Sequence, residues 1–78
     1  MIKVLLFAHL REKLGTEQLM IQDKNEMSVQ DLKIWLSEQY NLQSLNHVMT
    51  AINEEFVTDD EVVKDGDTVA FIPPVSGG

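Results

Sequence analysis

Apolar residues recur in two rhythms along this chain, and the change from one to the other marks its elements. Residues 2–8 are nearly all apolar, as in a strand from the middle of a sheet. Alternation gives Ile2, Val4, Leu6 and Ala8 to an inward face, and Lys3, Leu5, Phe7 and His9 to an outward one. Leu5 and Phe7 are therefore predicted to stay partly exposed unless a partner covers them. In residues 10–14, Leu10 and Leu14 stand four apart among good helix formers, and Gly15 follows where a C-terminal cap belongs, so one short helical turn is predicted. The period returns to two over residues 16–22, where Leu19 and Ile21 mark a second strand pairing with the first as a hairpin. Residues 23–26 close it as a loop.

The clearest helical signal starts at Ser28 and runs to Tyr40. Ser28 supplies an N-cap oxygen, Asp31 sits near the positive end of the helix dipole, and Val29, Leu32, Leu36 and Tyr40 recur at helical spacing with Trp35 beside them. This stripe reads as core, because large side chains at that period pack under a sheet far more often than they hold a cofactor. Beyond a polar loop at 41–46, a third strand is predicted at 48–52, a turn at 53–55 and a short fourth strand at 56–57. An Asp-Gly turn at 64–67 leads into the last strand, 68–72, with Val69 and Phe71 facing one way and Thr68, Ala70 and Ile72 the other. Pro73 and Pro74 end it, since proline lacks an N–H and fixes φ. The chain thus divides into a body, residues 1–72, and an extended tail, residues 73–78.

Composition narrows the chemistry. Seventy-eight residues make one small domain with no room for a second core. Thirteen acidic against six basic residues, a net charge of -7, argue against the phosphate contacts of nucleic-acid binding. Most of the acids read as solvated surface, with a basic face on a partner as the sharper alternative. Cysteine is absent, so there is no disulfide and no thiolate metal site, and any sulfur chemistry needs another atom to carry it. No apolar run approaches the roughly 20 residues of a membrane span, so a soluble, cytoplasmic protein is expected.

His9 and His47 lack a third ligand at metal-like spacing, and Asp59, Asp60 and Glu61 lack the glycine and spacing of a calcium loop. Neither a metal site nor an active site is expected. The remaining special group is the α-carboxylate of Gly78, ionised at neutral pH with an ordinary pKa of about 3.3–3.7 and a poor electrophile until activated, for example by adenylation with ATP. Six residues from Pro73 onward span about 20 Å when extended, and Gly77 and Gly78 pass through channels too narrow for side chains. A Gly-Gly end is also what a frayed terminus leaves. The bracing prolines and the uncharged Val75 and Ser76 favour a tail that is presented.

The order of elements looks like the ubiquitin-like β-grasp, an α+β fold with a mixed sheet of about four to five strands packed on one main helix. Over nearly its whole length the chain resembles the small subunits of molybdopterin synthase, the sulfur-carrier branch of that superfamily. The resemblance rests on Lys3-Val4-Leu5-Leu6-Phe7-Ala8, on Leu10-Arg11-Glu12 with Gly15, on Ala51-Ile52-Asn53, on Asp65-Gly66-Asp67 and above all on the run from Val69 to Gly78. Thiamine-pathway sulfur carriers share the fold and the Gly-Gly end but usually lack the double proline.

The resemblance implies a cycle. Gly78 is adenylated by a ubiquitin-activating-like adenylyltransferase using ATP, and it receives sulfur from a donor enzyme to become a thiocarboxylate. Val75, Ser76, Gly77 and Gly78 then enter the active site of the large subunit, which supplies the catalytic lysines. There the sulfur passes to cyclic pyranopterin monophosphate, building the dithiolene of molybdenum cofactor. It further implies a heterotetramer of two small and two large subunits, contacts through Phe7, Phe56, Ile72, Pro73 and Pro74, and no cofactor bound by the chain itself. The alternatives are a thiamine-pathway sulfur carrier or a ubiquitin-like modifier conjugated through Gly78.

Overall fold

The computed structural model describes residues 1–41 and 45–74. Its main sheet has five strands in the order β2-β1-β7-β4-β5: β1 Ile2–Leu6, β2 Gln18–Ile21, β4 Met49–Ile52, β5 Glu55–Val57 and β7 Thr68–Ile72. Two helices, α1 Ala8–Leu14 and α2 Val29–Tyr40, and a 3-10 turn at Leu45–His47 complete it with a separate ribbon of β3 Glu26–Ser28 and β6 Val62–Lys64. β1 runs antiparallel to β2 and parallel to β7, while β4 is antiparallel to both β7 and β5. This is the β-grasp arrangement that the order of elements predicts.

The inner face holds the core. Ile2, Val4 and Leu6 of β1 and Val69 and Phe71 of β7 are buried against Val29, Leu32 and Leu36 of α2, with Leu10 of α1 and Val63 of β6 closing the sides. Helix α2 starts as its sequence predicts, for the Ser28 hydroxyl accepts a 3.0 Å hydrogen bond from the Asp31 amide. Its other first-turn donors are met from the loop before β6: the Val29 amide donates to the Glu61 carbonyl and the Gln30 amide to the Asp59 carbonyl. Gly15 caps α1 in the left-handed region at φ 71, its N–H donating to the Arg11 carbonyl.

Four expectations need correction. The first strand stops at Leu6, because the backbone turns to φ 54 at Ala8 and enters α1 two residues earlier than predicted; Ala8 is exposed rather than inward. Tyr40 is 40% exposed, since the helix ends there at a left-handed Asn41 and the stripe runs past the sheet that covers it. The loop predicted at 23–26 gives way to strand at Glu26. The ribbon β3–β6 was hidden from periodicity by strands only three residues long, and it pairs Glu26 with Lys64 across its rungs. Finally, Leu45 of the predicted polar loop is buried; residues 42–44 of that loop lie outside the described ones.

Candidate partner-docking face and exit of the tail

The outer face of the sheet is built from the positions that alternate with the core. One rung runs straight across four strands: Leu5 pairs with Ala70, Ala70 with Ala51, and Ala51 with Phe56. Two alanines in the middle and two large side chains at the ends make this face concave. The result is an open depression of about 600 Å³, floored by Ala51 and Ala70, walled by Leu5, Phe7, Phe56 and Ile72, and polar at one end where Asn53, Glu54 and Thr68 meet.

Phe56 is 66% exposed and Phe7 44%, unusual for rings that belong to no core. Met49, exposed by half, extends the same face beside Ile72, its partner in the register. The structure therefore brings together three of the predicted contact residues, Phe7, Phe56 and Ile72, although they come from three distant parts of the chain. Leu5 was legible as a half-covered position, whereas Met49, Ala51 and Ala70 were not singled out as a site. The signal that finds them is strand alternation combined with register, since each lies on the outward phase of β4 or β7.

The tail leaves from the middle of the sheet. β7 is the third strand of five, and Ile72 is its last residue. Pro74 is exposed, but Pro73 is buried in the domain itself, so it braces the exit instead of offering surface. Val75, Ser76, Gly77 and Gly78, which include the predicted reacting group, lie outside the described residues.

Elsewhere the polar side chains serve the fold. The Lys33 ammonium, nearly buried on α2, is held by the Asp59 carboxylate at 2.8 Å. The Thr58 hydroxyl donates to the Asp60 carboxylate, which with a backbone hydrogen bond holds that exposed carboxyl below its usual range. Among the described residues, no three His, Cys, Asp or Glu side chains stand together as a metal cage, and no helix is long and apolar enough to cross a membrane. The outer face, with its exposed rings around an alanine floor, is thus shaped to bind.

Known proteins share this design. The ThiS family profile matches residues 4–78. The molybdopterin synthase sulfur carrier subunit of Escherichia coli is 37% identical, and the match covers 100% of both chains. Among solved structures, SAMP1 from Haloferax volcanii superposes with a TM-score of 0.81 at 25% identity, covering 99% of this chain and 98% of that one. A chain of the protein-protein complex of subunits 1 and 2 of molybdopterin-converting factor from Helicobacter pylori superposes with a TM-score of 0.69 at 26% identity, covering 99% of this chain and 97% of its own. With a family match running through residue 78, a full-length relative and superposable solved structures all in agreement, the chain belongs to the ThiS family, among the sulfur carrier subunits of molybdopterin synthase.

Proposed function

We propose that this chain is the sulfur-donating subunit of a molybdopterin synthase and works through the α-carboxylate of Gly78. One observation carries the reading: full-length kinship with sulfur carrier subunits extends through the terminal glycines. A carboxylate anion resists nucleophiles, so an adenylyltransferase first joins it to AMP from ATP with release of pyrophosphate. Sulfur at the sulfide level, supplied by a donor enzyme, then attacks the acyl carbon and displaces AMP, leaving a thiocarboxylate on the main chain, where a protein without cysteine can hold it. The charged tail, Val75 to Gly78, enters the large subunit, whose groups transfer the sulfur to cyclic pyranopterin monophosphate. ATP is consumed by the activating enzyme, and the carrier itself holds no cofactor.

The docking face for the large subunit is the concave outer sheet, with Phe7, Phe56 and Ile72 as its apolar contacts and Pro74 at the exit. The H. pylori complex of subunits 1 and 2 supports a partner of this kind. Two small subunits on a large-subunit dimer, working in the cytoplasm, complete the assembly.

The test is the intact mass of the chain purified from cells making molybdenum cofactor. A fraction in which one oxygen is replaced by sulfur is expected, and it disappears when Gly78 is deleted or the chain is extended by one residue. A mass unchanged under all conditions rejects the reading. A second reading, conjugation to other proteins through Gly78, is favoured by the likeness to SAMP1; isopeptide-linked adducts on unrelated proteins would establish it. Rescue of a thiamine requirement in place of a molybdoenzyme defect would move the chain to the thiamine pathway.

A further inference from the structure

The outer face depends on Phe56, yet β5 is an edge strand of three residues whose one strand neighbour among the described residues is β4, with Val57 packed against the core from its other face. The hairpin that joins them turns through Asn53 and Glu54, at φ 50 and φ 72. Two successive left-handed residues form the tight hairpin turn that suits the twist of the strands, but it is costly for a side chain other than asparagine, aspartate or glycine. Asn53 is also unusually well tied. Its N–H donates to the Thr68 carbonyl at 2.8 Å, and its side-chain oxygen accepts from the Thr68 N–H at 3.0 Å, which extends the β4–β7 ladder by one rung made of a side chain. Its Nδ2 donates to Asp67 Oδ1 at 3.0 Å, and Asp67 Oδ2 accepts from the Lys64 N–H at 2.9 Å. The turn before β5 is thereby fastened to the turn before β7.

We propose that the Asn53–Asp67 hydrogen bond is a positioning latch for partner docking: it fixes the β4–β5 hairpin on the start of β7, and so holds the Phe56 ring as one wall of the outer depression. Asn53 and Asp67 act through Phe56. Without the latch the turn keeps its two hydrogen bonds to Thr68 and Val57 keeps its core contact, but the hairpin gains freedom to twist about β4, which the partner must take away on binding at a cost in affinity. The proposal rests on the large subunit being the partner, and the experiment separates the two.

The large subunit is titrated with the wild-type chain and with variants, while urea unfolding of each is followed in parallel. Asn53→Asp keeps the oxygen that accepts from Thr68 and tolerates the left-handed turn, but it sets two carboxylates face to face. Asp67→Asn, the second variant should the first not fold, leaves one acceptor oxygen for two donors, so either the Asn53 bond or the Lys64 bond that backs it is lost. Each is expected to weaken binding about fivefold to tenfold, the effect of one lost hydrogen bond. The exchange Asn53→Asp with Asp67→Asn satisfies every partner again, since the amide then at position 67 donates to the carboxylate at position 53 and accepts from the Lys64 N–H. It is expected to restore affinity to within about twofold of wild type. In a Phe56→Ala chain the single variants are expected to weaken binding no further. Equal affinity of wild type and single variants, an exchange that rescues nothing, or full additivity with Phe56→Ala overturns the latch. No binding by the wild-type chain overturns the partner assignment instead.

Discussion

The two faces of the main sheet are made by the same strands, and both are apolar, yet only one is finished. On the inner face Ile2, Val4, Leu6, Val69 and Phe71 meet helix α2 and lose all but a trace of their exposure. On the outer face Leu5, Ala70, Ala51 and Phe56 form an equally continuous rung, and neither described helix covers it. Difference in side-chain size matters as much as difference in cover. Apart from Thr50, buried opposite Phe71, apolar residues larger than alanine fill the inner face, whereas two alanines hollow the middle of the outer one, leaving a shape that awaits a ridge. A sheet whose inner side already satisfies the fold is free to spend its outer side on recognition.

The comparison breaks first at the core. Phe71→Ala or Leu32→Ala is expected to cost about 3–4 kcal/mol, because each empties a fully buried position. In a domain this small, that is a large share of total stability, and the urea midpoint should fall accordingly. On the outer face, Phe7→Asp reverses the pattern. Unfolding should move by about 0.5 kcal/mol or less, while affinity for the large subunit falls by about 1–2 kcal/mol in a titration. Equal losses in both measurements would erase the distinction between the faces.

Smaller effects test how the helix is held in place. Ser28→Ala removes the oxygen that accepts from the Asp31 amide and is expected to cost about 1 kcal/mol in urea unfolding. The smallest effect is at Asp60. Its folded pKa is lowered because the ionised carboxylate accepts from Thr58 and from backbone, so its contribution is present above the ordinary carboxylate range and fades as pH falls through the lowered value. A carboxyl titration by NMR should therefore place Asp60 below the exposed acids, and Thr58→Val should return it towards them.

Most of the frame was legible because its signals are local. Strict alternation in residues 68–72, the apolar run opening the chain and the Ser28 cap each report on neighbours in sequence, and each stands where expected apart from the last residues of the first strand. The ribbon β3–β6 was not legible, since three-residue strands carry less than two full periods. Lys33 carries no local sign of burial; its place depends on Asp59, remote in sequence. Candidate contacts Phe7, Phe56 and Ile72 followed from family resemblance, but the alanine floor between them follows only from register. Tyr40 misled because period alone does not say where the sheet ends.

The position of β7 carries one more consequence. It is the last strand in chain order and also the central one, the wedge between β1 and β4 that joins two half-sheets. During synthesis those halves wait with bare facing edges until Thr68–Ile72 emerges, so the main sheet closes only after residues 1–67 have been made. A chain cut short before that strand lacks the piece that joins β1 to β4. The strand that closes the main sheet is thus also the one that leads directly to Pro73 and Pro74.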